Sequence, residues 1–306
     1  MVKAVIWFII IVVVGGGLSF SGQTPRFDEQ SAWQYLVKQV AFGPRNPGSP
    51  GHRQCLQFLK TELHKFADQV IEQPFMHYDA FRGKTLVMTN LIARFRPEVE
   101  PRILLCAHWD TRPFADRDPN PANRQTPIPG ANDGASGVAV LLEVARILNQ
   151  HPPPLGVDIV FFDGEDYGRE GHLDEYFLGS RYFVRNNDRY FPAFAILLDM
   201  VGDANLQLPR EGFSVMYAPE VVDRVWQIAQ EMGYSQFEDR IGLQVNDDHV
   251  ILNEGGIPTI NIIDFQYPDA SHRYWHTLQD VPENCSPESL KVVGDVLLKL
   301  IYEEPL

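Results

Sequence analysis

"VDIVFFDGEDYG", residues 157–168, drives an apolar run straight into three acidic residues grouped around one glycine: Asp163, Glu165 and Asp166. The run has the length of a buried strand and is rich in β-branched and aromatic residues. Carboxylates this close repel one another and desolvate poorly unless something positive joins them. A strand that simply surfaces into water accounts for the apolar half and leaves the crowded charge to the solvent. The segments on either side decide between that reading and a functional one.

The same pattern, an apolar strand with a polar end, recurs outward in both directions. "RILLCAH" (102–108) ends in His108, with Asp110 two residues on. "AFAILLDMVG" (193–202) reads as a strand carrying Asp199, and "IPTINII" (257–263) leads into the loop with "YWHT" and His276. "GASGVAVLLEVARILNQ" (134–150) is a strongly apolar helix, and Asp133 stands just before it, a place that helix caps also take. Five elements thus bring carboxylates or imidazoles to one rim. With no thiolate among them, the set suits an ion bound by nitrogen and oxygen, with zinc foremost.

The remaining chain fits around this frame. Amphipathic helices are predicted over 27–45, 49–67, 220–233, 248–256 and 287–302, with a further helix around 180–185. Strands are expected at 70–78, 84–95 and 213–218 ("FSVMYA"), and residues 111–130, rich in Pro, Asp, Arg and Asn, form a long loop. Apolar strands alternating with helices give an α/β fold: a single domain with a mostly parallel central sheet covered by helices on both faces. In such sheets the functional crevice lies beyond the carboxyl ends of the strands.

Residues 1–22 hold one lysine, an apolar run from Ala4 to about Leu18 and then small residues, the pattern of a signal peptide or signal-anchor. Residues 23–306 are read as one domain carrying this rim, expected to be a zinc-dependent catalytic domain and to lie outside the cytoplasm: secreted, periplasmic or attached to the membrane through the N-terminal segment. The formal net charge of −14 argues against a nucleic-acid partner. Three cysteines, Cys55, Cys106 and Cys285, permit one disulfide at most, and Cys106 sits in an apolar run that reads as core.

"LLCAHWDTRP", "GANDGASGVAVLLEVARIL", "FFDGEDYG", "LGSRYF", "LLDMVGD", "NDDHVILNEGGIPTI" and "YWHTLQDVPEN" occur in this order over nearly all the chain from about Ala41. Together they resemble the successive motifs of the zinc-aminopeptidase-like family. "WHT", "DDH" and the early "SPG" (49–51) are similar to its glutaminyl cyclase branch, in particular the bacterial forms. The resemblance implies cyclisation of the N-terminal glutamine of peptides or proteins to pyroglutamate, with release of ammonia.

Carried over residue by residue, Asp133, Asp166 and His276 match the ligands of a single catalytic zinc. Glu165 matches the general acid/base, Asp199 and Asp247 the proton-handling network, and Trp275 the aromatic wall of the substrate pocket. The family commonly has glutamate at position 166, so the shorter Asp166 requires its loop to approach more closely. His108 and Asp199 match the positions where two-zinc peptidases hold a second metal. A two-zinc aminopeptidase is therefore the alternative reading, and a non-enzymatic ectodomain of the same fold a further one. The tryptophan that follows the acid pair in animal cyclases is replaced by "GREGHLDEYF" (168–177), so the pocket wall must be built differently. His249, His272 and Asp163 remain without a role, while Trp109 and Phe114 are candidates for the pocket lining or the core.

Overall fold

The structure, a computed structural model, describes residues 24–187 and 190–303. The predicted signal segment, residues 1–22, lies outside the described residues. The elements run α1 (Glu29–Val40), α2 (Pro50–Phe66), β1 (Gln69–Asp79), β2 (Lys84–Phe95), β3 (Arg102–His108), α3 (Ala135–Gln150), β4 (Gly156–Phe162) and α4 (Leu178–Arg185). They continue with β5 (Ala195–Asp199), β6 (Leu208–Arg210), α5 (Gly212–Tyr217), α6 (Pro219–Glu231), β7 (Phe237–Ile241), α7 (Asp248–Glu254), β8 (Thr259–Ile263) and α8 (Pro287–Glu303).

The six-stranded sheet has the order β1-β2-β4-β3-β5-β8. β1–β2 and β2–β4 pair antiparallel, whereas β4–β3, β3–β5 and β5–β8 are parallel. All residues of β3 and β4 are buried, as strands covered on both faces require. Their side chains alternate between two cores. Ile103, Leu105, Ala107, Val157, Ile159 and Phe161 join the large cluster with α1, α2, α3, α6 and α8. Leu104, Cys106, Val160 and Phe162 face the smaller one, with Phe183 of α4 and Leu252 of α7. Each such aliphatic side chain contributes about 1.5–3 kcal/mol by leaving water. The chain passes from β3 to β4 on one side and to β5 on the other, so a crevice opens at the carboxyl ends of these three strands.

Two expectations change. "FSVMYA" is not a strand but most of helix α5, because the Glu211 carboxylate caps it, accepting from the backbone N–H of Phe213 and Ser214 at 2.9 and 2.6 Å. A six-residue, largely apolar segment is too short a signal against that cap. The chain also makes a second, two-stranded parallel sheet from β6 and β7, segments too short and too polar to read as strands. Cys55, Cys106 and Cys285 are all free and buried. Among the described residues no helix is long and apolar enough to cross a membrane.

Candidate active site

The residues at the strand ends converge. His108 closes β3, Asp163 to Asp166 follow β4, Asp199 ends β5, Asp247 caps α7, and His276 lies in the loop after β8. Gly164 has φ +74°, a left-handed turn that reverses the chain, and a Cβ there would meet the Met88 sulfur at 2.6 Å. Asp133 does not cap α3; Gly134 holds that place with φ +99° and no side-chain bond, which leaves the aspartate carboxylate for the crevice.

Two groups of donor atoms form, each able to hold a metal ion, and they share Asp133: Asp133, Asp166 and His276, and His108, Asp133 and Asp199. In the first, His276 Nε2 lies 3.4 Å from Asp166 Oδ2 and 3.7 Å from Asp133 Oδ2. In the second, His108 Nε2 lies 3.1 Å from Asp199 Oδ1 and 3.3 Å from Asp133 Oδ1. Asp166 Oδ2 is buried without a hydrogen-bond partner among the described residues. An orphaned carboxylate oxygen is costly, and facing an imidazole nitrogen and a second carboxylate it fits a cation. Imidazole and carboxylate without thiolate are donors suited to zinc.

Glu165 faces His108 Nδ1 at 3.8 Å from the opposite side. Burial pushes its carboxyl well above the usual range, with Asp247, Asp166 and Asp248 adding to the rise and His108 opposing it. Asp199 is itself raised by burial. Asp247 is pushed up to about 7 by burial and then by the charge of Asp199, while Asn261 Nδ2 donates to it at 2.7 Å. Burial and the nearby Arg112 guanidinium take His276 down to about 4, outweighing Asp116 and Asp133, so at neutral pH it offers a lone pair.

These groups floor a cavity of about 310 Å³. Trp275 forms one wall, stacked on His276 with ring centroids 3.8 Å apart, and Leu173, Tyr176 and Phe177 form another. The latter three come from the segment that carries no tryptophan.

Several residues have other work. Asp110 is aimed at backbone, accepting from the N–H of Glu165 and Asp166 at 3.0 and 3.3 Å. Asp163 receives His52 Nε2 at 3.0 Å and the Thr89 N–H at 2.7 Å. Trp109 is wholly buried, stacked on His52 at 4.4 Å, and the Arg82 guanidinium lies 4.7 Å from the Phe114 ring. His249 pairs with Glu211 at 3.0 Å, and His272 Nδ1 bonds to the Phe265 carbonyl at 2.6 Å. Sequence reading missed Asp280, which accepts from the N–H of Asn132 and Asp133 at 2.7 and 3.2 Å and so holds the Asp133 loop. It also missed Arg112 and Asp116. Arg112 donates to Asp166 Oδ1 at 2.7 Å.

Known proteins are similar to this chain over most of its length. The chain is 41% identical to Bacteroides thetaiotaomicron glutaminyl cyclase, whose crystal structure was obtained with N-acetylhistamine bound; the match covers 92% of this chain and 100% of that one, with a TM-score of 0.88. A Zn-dependent exopeptidase from Parabacteroides distasonis is 39% identical, with coverage of 92% and 100% and a TM-score of 0.88. The glutaminyl-peptide cyclotransferase of Bos taurus is 23% identical over 308 residues, 89% of this chain and 81% of the relative. Residues 90–301 match the family model for peptidase family M28. That match runs from within β2 to within α8 and takes in every element that brings a donor atom to the crevice, and the chain belongs to peptidase family M28.

Proposed function

We propose that this protein is a zinc-dependent glutaminyl cyclase acting on the N-termini of peptides. The observation that carries the reading is the contrast between two adjacent carboxylates, Asp166 fixed against Arg112 and His276 and Glu165 turned to the open cavity, in a chain so similar to a bacterial glutaminyl cyclase.

Asp133, Asp166 and His276 would hold the ion. When bound there, zinc supplies Lewis-acid polarisation of the substrate γ-carbonyl. The α-amine and the γ-carboxamide belong to one residue, so the cavity has to fold the substrate rather than gather two reactants, and Trp275 offers the flat apolar surface for that. As the amine nitrogen bonds to the carboxamide carbon, Glu165 accepts a proton from it. Glu165 then returns the proton to the amide nitrogen as the carbon–nitrogen bond breaks and ammonia leaves. Asp247 lies behind Glu165 and favours its protonated form during the transfer, while Asp199 acts on Asp247 in turn.

A second reading, a two-zinc aminopeptidase, is favoured by one observation: His108, Asp133 and Asp199 form a complete second donor group. Incubation with a Gln-initiated and a Leu-initiated peptide, with product masses and zinc content per chain, separates the two. Loss of one ammonia from the Gln peptide is expected; free leucine with two zinc ions per chain would overturn the reading. The apolar run Ala4–Leu18 supports an extracytoplasmic location, secreted, periplasmic or membrane-anchored. Fractionation that leaves the full chain in the cytosol would refute it.

A further inference from the structure

We infer that Arg112 and Asp116 form a strap that positions two of the three proposed metal-holding residues, Asp166 and His276. The inference rests on the metal assignment above. Asp166 Oδ1 accepts from Arg112 Nη1 at 2.7 Å, and Oδ2, left without a donor, points to His276 Nε2 at 3.4 Å. The rest of the guanidinium is spent on Asp116, Nε to Oδ1 at 2.9 Å and Nη2 to Oδ2 at 2.5 Å. Asp116 Oδ1 then lies 3.6 Å from the far nitrogen of His276, Nδ1. The contacts close a ring: Asp166, His276, Asp116, Arg112 and back to Asp166.

Each link has a physical task. A carboxylate can offer either oxygen, and the Arg112 bond selects which one Asp166 presents. A carboxylate beside Nδ1 favours the proton on that nitrogen and leaves Nε2 as the donor. The strap requires a planar fork that serves two carboxylates at different edges, which an ammonium cannot do. The Arg112 side chain is 1% exposed and Asp116 25%, so the pair sits where solvent screening is weak. Arg112 fixes the short Asp166 side chain from behind, while Asp110 draws its backbone inward.

The test uses the full chain with Arg112→Gln, Arg112→Lys and Asp116→Asn. Zinc affinity is read by chelator competition with the metal alone, ligand geometry by the visible spectrum of the cobalt-loaded protein, and folding by thermal melting. Arg112→Gln should weaken zinc binding by about 10- to 100-fold and shift the cobalt spectrum, the usual scale for removing a partner of a metal ligand. Arg112→Lys should recover part of the affinity and not the spectrum. Asp116→Asn should weaken binding about tenfold. Wild-type zinc affinity and spectrum in Arg112→Lys and Asp116→Asn would overturn the strap, and these two variants decide it if Arg112→Gln does not fold. Both readouts are independent of turnover. If the wild-type chain binds zinc but cyclises no Gln-initiated peptide, the proposed function fails and the strap is still decided.

Discussion

Asp133 turns one oxygen to His108 and the other to His276, and the two imidazoles lie in opposite electrostatic surroundings. His276 has Arg112 nearby and the cavity in front of it, and burial with that positive charge lowers it to about 4. His108 is enclosed by Glu165, Asp110, Asp133 and Asp199, which together overcome burial and raise it well above its ordinary value. One group therefore presents a neutral imidazole with a free lone pair. The other surrounds its imidazole with carboxylates, which favour its protonated form. Two clusters of the same residue types thus differ in the charge that surrounds their imidazoles.

The contrast can be broken most severely at His276. His276→Ala should lose both bound zinc and activity; a variant that retains one equivalent of zinc would remove it from the ligand set. Next in size is Glu165→Gln, expected to keep its zinc and lose at least about 100-fold in kcat, the scale of a positioned acid/base. Near-normal turnover in the metal-loaded variant would assign the proton transfer elsewhere. The smallest effect is expected at His108→Gln: zinc stays at one equivalent per chain and the rate falls about tenfold, as for a group acting through its neighbours. A fall from two equivalents to one would erase the contrast and favour the peptidase reading.

How much of this was legible in the sequence depended on what each residue touches. β3, β4 and α3 announce themselves because long apolar runs leave no other environment for them, and the polar residues at their ends follow the chain into the crevice. "FSVMYA" misled because its fate hangs on one capping carboxylate, Glu211, just before it. Arg112 and Asp116 lie in a loop with no periodicity, and their partners, Asp166 and His276, are far away in the chain. Asp163 is similar: His52, from which it accepts, sits on α2, 111 residues earlier. Local pattern marks which residues are apolar, whereas pairing between buried charges is written only in three dimensions.

The donor atoms around Asp133 come from the end of β3, the start of α3, the turn after β4, the end of β5 and the loop beyond β8. No short fragment contains the set, so an ion seated there binds only the chain that has closed completely. By mass action, an ion at 100 times its dissociation constant then adds about 2.7 kcal/mol against unfolding of the whole domain. The catalytic centre is in this sense also a fastener: a zinc ion held there would stabilise the closed domain as well as serve its chemistry.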